Sequence, residues 1–359
     1  MSPSLMPGLH RRHFLLAAGL AGMVGNRPVL ALPAKTQQFP RDLGAHPDFR
    51  TEWWYITGHL MSGAREFGFQ LTFFRSRVDA TQAMRSRFAA KQLIFAHAAV
   101  TDVQGKKLWH DQRIAREGFE LASASEQDTH IRLRDWSLKH ERGQYLATLP
   151  ATDFALALQL SETQAILLQG NKGLSRKGPD PQQASYYYSQ PQLATNGRLR
   201  IKDQNFEVSG KAWLDHEWSE ALMHPDAVGW DWIGMNLDDG SALTAFRLRD
   251  KQGNTLWDGG SFRSAQGELY TFSRSEVVFK PMRHWKSPLS QASYPVEWRV
   301  RTPADFYTVR AVIDNQELDS RPSTGAIYWE GLSELIDSNG KRVGRGYLEM
   351  TGYAAPLRL

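Results

Sequence analysis

Short segments in which apolar and polar residues alternate dominate the chain. Phe67-Gly68-Phe69-Gln70-Leu71-Thr72-Phe73 and Ala242-Leu243-Thr244-Ala245-Phe246-Arg247-Leu248-Arg249 repeat with period two, the pattern of a strand with one face against a core. The same reading predicts strands at 93–101, 154–160, 206–213, 296–301, 307–313, 326–329 and 347–353. Hairpin turns fit at Val103-Gln104-Gly105, Lys251-Gln252-Gly253 and Ser338-Asn339-Gly340. Helical periodicity is scarce, and only residues 79–92 and 214–224 are open to helix. Many short strands at turn spacing predict an all-β protein of antiparallel barrels or sandwiches.

A chain of 359 residues exceeds what one core usually serves, so two domains of roughly 150 to 180 residues are expected. An internal echo points the same way. Asp102-x-Gln104-Gly105-x-x-Leu108-Trp109 recurs as Asp250-x-Gln252-Gly253-x-x-Leu256-Trp257, and the aromatic starts Trp53-Trp54 and Trp230-Asp231-Trp232 pair across the halves. Duplication and generic hairpin chemistry both produce such echoes.

Residues 1–31 stand apart. His10-Arg11-Arg12-His13-Phe14-Leu15-Leu16 leads into a short apolar run ending near Val24, far below the ~20 residues of a membrane span, and small residues precede a cleavage point after Ala31. This reads as a twin-arginine export signal and predicts a periplasmic or secreted protein; a retained N-terminal anchor is the alternative. Its removal lowers the formal net charge from +5 to +2, and no Lys/Arg stripe remains to bind nucleic acid. With no cysteine in the chain, disulfides, thiol nucleophiles and thiolate metal sites are excluded. The 12 tryptophans and 17 phenylalanines supply apolar area instead.

Three stretches carry the candidate chemistry. In His46-Pro-Asp48-Phe-Arg-Thr-Glu52-Trp53-Trp54-Tyr55-Ile56-Thr-Gly58-His59-Leu60, the side chains of Trp53, Tyr55 and His59 share one face of a strand, and those of Glu52, Trp54 and Ile56 the other. Ionisable groups among aromatics on both faces fit a strand lining a cavity or a core strand with rim charges. Gly170 to Pro181 forms an irregular loop that enters Ala184-Ser185-Tyr186-Tyr187-Tyr188-Ser189, with Tyr187 facing opposite to its neighbours. It reads equally as a functional loop or a surface loop. Gly210-Lys-Ala-Trp213-Leu-Asp215-His216-Glu217-Trp218-Ser-Glu220 is the densest set of ionisable groups among aromatics. Carboxyls walled by indoles acquire raised pKa values suited to general acid work; a salt-bridged turn between domains is the competing reading. The second histidine of a zinc-protease motif is missing after His216-Glu217, so no metal is assigned. No serine-hydrolase elbow, phosphate loop or dinucleotide fingerprint is present, and no cofactor is expected.

Glu52-Trp53-Trp54-Tyr55-x-x-Gly58-His59-Leu60, Lys172-Gly173-x-Ser175 with Ala184-Ser-Tyr-Tyr-Tyr188, and Ala212-Trp213-Leu214-Asp215-x-Glu217-Trp218-Ser219 together resemble the AttH-like and carotenoid 1,2-hydratase (CrtC) lipocalin-like superfamily, often labelled predicted secreted hydrolases. The resemblance spans about residues 46–353. It implies two tandem lipocalin-like antiparallel β-barrel domains, at 44–220 and 221–359, with an apolar ligand cavity in the N-terminal unit and at the junction. It further implies that the acid matching Asp215 protonates an alkene, to which water then adds, with His216 and Glu217 beside it. Trp54, Tyr55, Tyr187, Tyr188 and Trp218 would face the cation, and Glu52, Trp53, His59, Trp230 and Trp232 complete the candidate ligand contacts. The alternative is a non-catalytic carrier of an apolar small molecule, serving an ABC-transporter-type membrane partner. A metal-dependent hydrolase would need His216 to meet His59 or His97.

Overall fold

A computed structural model describes residues 32–357; the stretch read above as an export signal, with its expected cleavage point after Ala31, lies outside the described residues. Strands make up nearly all of the regular structure, and the helical pieces among these residues are two 3-10 turns at Arg41–Leu43 and Asp79–Thr81. No helix among them is long and apolar enough to cross a membrane.

The strands form two antiparallel sheets. The first contains β1 (Thr51–Ser62), β2 (Arg65–Arg77), β3 (Gln92–Asp102), β4 (Lys107–Arg116), β5 (Ala122–Ala124), β6 (His130–Leu133), β7 (Trp136–Glu141), β8 (Gln144–Pro150), β9 (Phe154–Ser161), β10 (Leu167–Leu168), β11 (Leu174–Arg176), β12 (Ala184–Ile201) and β13 (Gln204–Ala221). The second contains β14 (Gly229–Leu237), β15 (Ala242–Arg249), β16 (Thr255–Arg263), β17 (Leu269–Thr271), β18 (Val278–Lys286), β19 (Ser293–Arg301), β20 (Phe306–Ala311), β21 (Glu317–Ser320), β22 (Ala326–Ile336) and β23 (Arg342–Met350).

In each sheet the last strand closes onto the first, β13 onto β1 and β23 onto β14, with β12 and β22 next in line. The first sheet curls until β3 and β4 approach β6, so it is nearly closed into a barrel; the second keeps free edges at β17 and β18. The two echoed hairpins sit at β3–β4 and β15–β16, which are not equivalent places in this scheme. Turn chemistry accounts for that echo. The aromatic starts, on β1 and β14, do occupy equivalent strands.

Side-chain parity decides what each face meets. Trp54, Ile56 and Leu60 of β1, Phe67, Phe69, Leu71 and Phe73 of β2, and Leu214 and Trp218 of β13 fill the first barrel. Each large apolar side chain buried this way contributes about 1.5–3 kcal/mol. Gly58 stands directly opposite Phe69. A Cβ there would lie 2.3 Å from Phe69 Cε1 and 2.8 Å from the Lys211 carbonyl oxygen, so the ring takes the space that any larger residue would need. Residues 32–49 lie against one end of this barrel, where the Leu43 carbonyl accepts from Trp54 Nε1 at 3.0 Å and from Thr129 Oγ1 at 2.7 Å.

The opposite faces of β1, β13, β14, β22 and β23 turn toward the other sheet, and Tyr55, Trp213, Trp232, Leu332 and Tyr347 join in one apolar cluster between the two. Both faces of these strands are therefore buried. Residues 214–221, open to helix in the sequence, continue β13, because acids and aromatics on two buried faces hide the period of two.

Candidate active site at the junction of the two sheets

A cavity of about 350 Å³ lies between the sheets, near the low end of the ~300–1,000 Å³ typical of ligand sites. Trp53 and Tyr55 of β1, Tyr187 of β12, and Trp230 and Trp232 of β14 line it, with Phe74, Phe95, Phe246 and Tyr328. Into this aromatic wall project Asp215 and Glu217 of β13, Glu330 of β22 and Glu349 of β23.

Register explains the placement. Tyr55 pairs with Asp215 across β1–β13, and Trp53 with Glu217. In the second sheet Trp232 pairs with Glu349 across β14–β23, and Glu330 stands opposite Glu349. An aromatic on the first strand facing an acid on the last thus occurs in both sheets, and the two constellations look at each other across the cavity.

Asp215 is 4% exposed. Its Oδ1 accepts from Ser189 Oγ at 2.5 Å and Trp213 Nε1 at 2.7 Å, and its Oδ2 from the Tyr187 hydroxyl at 2.7 Å. Burial disfavours the charged form more than these three donors favour it, and with repulsion from Glu217 the pKa rises to about 7. The Tyr187 hydroxyl also lies 3.4 Å from Trp232 Nε1, which donates to it. Glu217 Oε1 is held differently, by Lys177 Nζ at 3.0 Å and a short hydrogen bond from Ser185 Oγ. Lys177 gives Glu217 a counter-charge that Asp215 lacks.

Glu330 and Glu349 were not singled out by the sequence. Burial, and then the neighbouring Glu349 charge, push Glu330 well above the usual carboxyl range. Burial also raises Glu349, to about 7, against a hydrogen bond from Trp230 Nε1 at 3.0 Å and with Asp215 and Glu217 repelling its charge. Glu330 Oε1 and the Tyr55 hydroxyl are buried without a hydrogen-bond partner of normal geometry. His97, at another part of the wall, bonds the Tyr328 hydroxyl and Ser323 Oγ at 2.8 Å each, and burial lowers its pKa to about 3.

Several sequence candidates lie elsewhere. His216, Trp54, Tyr188 and Trp218 have the opposite parity and point into the first barrel, away from the cavity. There the side-chain network of Glu52 fills the interior that was expected to hold ligand, while Glu52 and Arg75 also border the junction cavity. Glu52 Oε1 accepts from His46 Nδ1 at 2.7 Å and His216 Nε2 at 2.9 Å, and its Oε2 meets Arg75 Nε at 2.7 Å. Burial opposes ionisation of Glu52, yet the hydrogen bonds of the two histidines hold its pKa far below the usual range. Desolvation lowers His216 to about 4, so the ring is neutral, donating to Glu52 and accepting from the Tyr188 hydroxyl at 3.1 Å. His59 turns to Glu66 at 3.1 Å, and neither it nor His97 meets His216. His46, Glu52 and His216 instead bring three possible metal-ligand atoms within 4.8 Å of one another. With Arg75 on the same carboxylate, and with His46 stacked on Trp218 at 3.8 Å, this cluster fits a hydrogen-bonded plug better than a cation cage.

Comparisons with known proteins bear on this geometry. A family model described as AttH-like matches residues 30–353. Among solved structures, an AttH protein of Nitrosomonas europaea is 45% identical with a TM-score of 0.84, covering 90% of this chain and 99% of that one. Kievitone hydratase of Nectria haematococca has a TM-score of 0.68 at 13% identity, covering 92% of this chain and 95% of its own. CghA with Sch210972 gives 0.54 at 13%, covering 90% and 95%. At such identity the likeness to the last two is one of fold. Comparison with curated proteins gives no match.

Proposed function

The chain belongs to the AttH-like family, and from that premise we propose that it is an exported enzyme that binds an apolar, isoprenoid or lipid-like molecule in the junction cavity and adds water to it by acid catalysis. The observation that carries this reading is the Asp215 carboxyl, buried at an aromatic wall with its pKa raised to about 7. A proton is thereby available near neutral pH.

In the proposed reaction the acid delivers its proton to one alkene carbon, directly or through the Tyr187 hydroxyl, which passes on its own hydrogen as it takes that of Asp215. The π pair forms the new C–H bond. The cation left on the neighbouring carbon faces the electron-rich rings of Trp53, Trp230 and Trp232. Water attacks that carbon, Glu349 as carboxylate takes the released proton, and its return to Asp215 closes the cycle with one water added.

A carrier passing an apolar ligand to a membrane transporter is the second reading, favoured by the predominance of aromatic side chains in the lining. Incubation of the purified protein with a pool of polyenes, terpenoids and lipid esters separates the two. Products one water heavier, formed by wild type and not by Asp215→Asn, support the enzyme. Unchanged compounds retained equally by both proteins end the enzyme reading and leave the carrier.

A further inference from the structure

Tyr187 and Phe246 also form part of a second, wider cleft of about 1020 Å³, on their other side from the junction cavity. Lys177 stands at this partition, its Nζ 4.8 Å from the Tyr187 ring centre and 4.4 Å from that of Phe246. The cleft runs between the loop at 164–176 and strands β16 and β17, and its charge is the reverse of the cavity's. Lys172, Arg176, Arg263 and Arg274 line it against a single carboxylate, Asp258, whose Oδ2 is turned to the Ser275 amide at 2.7 Å.

Arg263 is the informative member. It is only 6% exposed, and it donates to the Ala165 carbonyl at 2.7 Å and to Gln164 Oε1. No carboxylate among the described residues lies within ion-pair distance of it, in contrast to Lys177 with Glu217. A buried guanidinium facing neutral acceptors alone is costly unless a counter-charge arrives. Arg176 repeats the theme, because its Nε is buried without a partner while its Nη2 holds the Gly178 and Pro179 carbonyls at 3.0 and 2.8 Å. Between Arg176 and Arg274 the Trp257 ring lies 5.7 and 4.8 Å from their guanidinium carbons. Fork-shaped cations around an indole suit a planar or tetrahedral oxyanion carried on an apolar chain.

We propose that this cleft binds an organic anion, a carboxylate or phosphate monoester on an alkyl chain, with Arg263 and Arg176 holding the acid head and Trp257 the adjoining carbons. The site is independent of acid chemistry in the neighbouring cavity. Calorimetric titration of the mature protein with octanoate, octyl phosphate and octanol tests it at low and high salt. At least one of the two anions binds roughly tenfold or more tighter than octanol at low salt, and the gap closes as salt screens the head group; whichever anion binds tighter identifies the head. Arg263→Gln, and separately the double variant Arg176→Gln/Arg274→Gln, lose that preference and keep octanol binding. The double variant lies at the periphery, so it decides the matter if Arg263→Gln fails to fold. Asp215→Asn retains the preference, which separates this site from the proposed catalysis. Equal binding of all three compounds by wild type, or unchanged anion binding by the double variant, overturns the proposal.

Discussion

Replacing Asp215 by Asn imitates the protonated acid, because the retained carbonyl oxygen still accepts from Ser189 and Trp213 while the new amide faces Tyr187. Wild type and variant then differ in one respect, the cost of ionising a buried carboxyl. The pKa rises from 3.8 to about 7 on folding. A carboxyl with a raised native pKa binds more protons in the native than in the unfolded state between those values, so its stability contribution is fullest below pH 3.8 and is lost as pH rises through 7. At about 1.4 kcal/mol per unit the loss is about 4 kcal/mol by pH 8. Urea unfolding at intervals between pH 4 and 8.5 measures it. Stability of Asp215→Asn relative to wild type should climb by about 1.4 kcal/mol per unit from pH 4 to 7 and level off above. Relief of Glu349 from the Asp215 charge acts in the same direction. Parallel profiles for the two proteins would show that Asp215 titrates as an ordinary carboxyl, and would refute its part as a neutral-pH acid.

Tyr187→Phe removes the hydroxyl between Asp215 Oδ2 and Trp232; turnover should fall by roughly 10²-fold with ligand affinity unchanged, and undiminished turnover rules out a relay through the phenol. Arg75→Met leaves Glu52 without its cation and should lower stability by about 3–5 kcal/mol at pH 7 in urea unfolding. Because the native pKa of Glu52 is depressed, its contribution is present above its unfolded value of 4.5 and is lost as pH falls, so the gap to wild type should narrow in acid. Gly58→Ala drives a methyl against the Phe69 ring and the Lys211 backbone oxygen; thermal unfolding should report a loss of about 1–3 kcal/mol, and an unchanged Tm would show that the strand gives way freely.

Strand parity was legible in the sequence wherever one face of a strand is apolar, as at 67–73, and the split of Tyr186 and Tyr188 from Tyr187 follows from it. What parity does not reveal is which of two buried faces meets the cavity. His216 and Asp215 are adjacent, and the sequence groups them together, yet one is buried in the first barrel beside Glu52 and the other lines the junction cavity. Between 107 and 150 the alternation is obscured, as at Lys107–Arg116, which mixes charged and apolar residues along a largely accessible strand. Glu330 and Glu349 lie in no motif. Their one signal is phase: each stands where aromatic and aliphatic side chains recur, in Tyr328-x-Glu330-x-Leu332 and Tyr347-x-Glu349, and acids in such positions on inner strands mark a lined cavity.

Proton delivery by Asp215 followed by capture of water is tested most directly by incubating the same alkene pool in deuterium oxide enriched in heavy oxygen, with wild type and Asp215→Asn side by side. If the buried acid works as proposed, wild type places one deuterium on a former alkene carbon and heavy oxygen on its neighbour, and the variant places neither. Heavy oxygen appearing without a new carbon–deuterium bond, or the same labelling from Asp215→Asn, would contradict it.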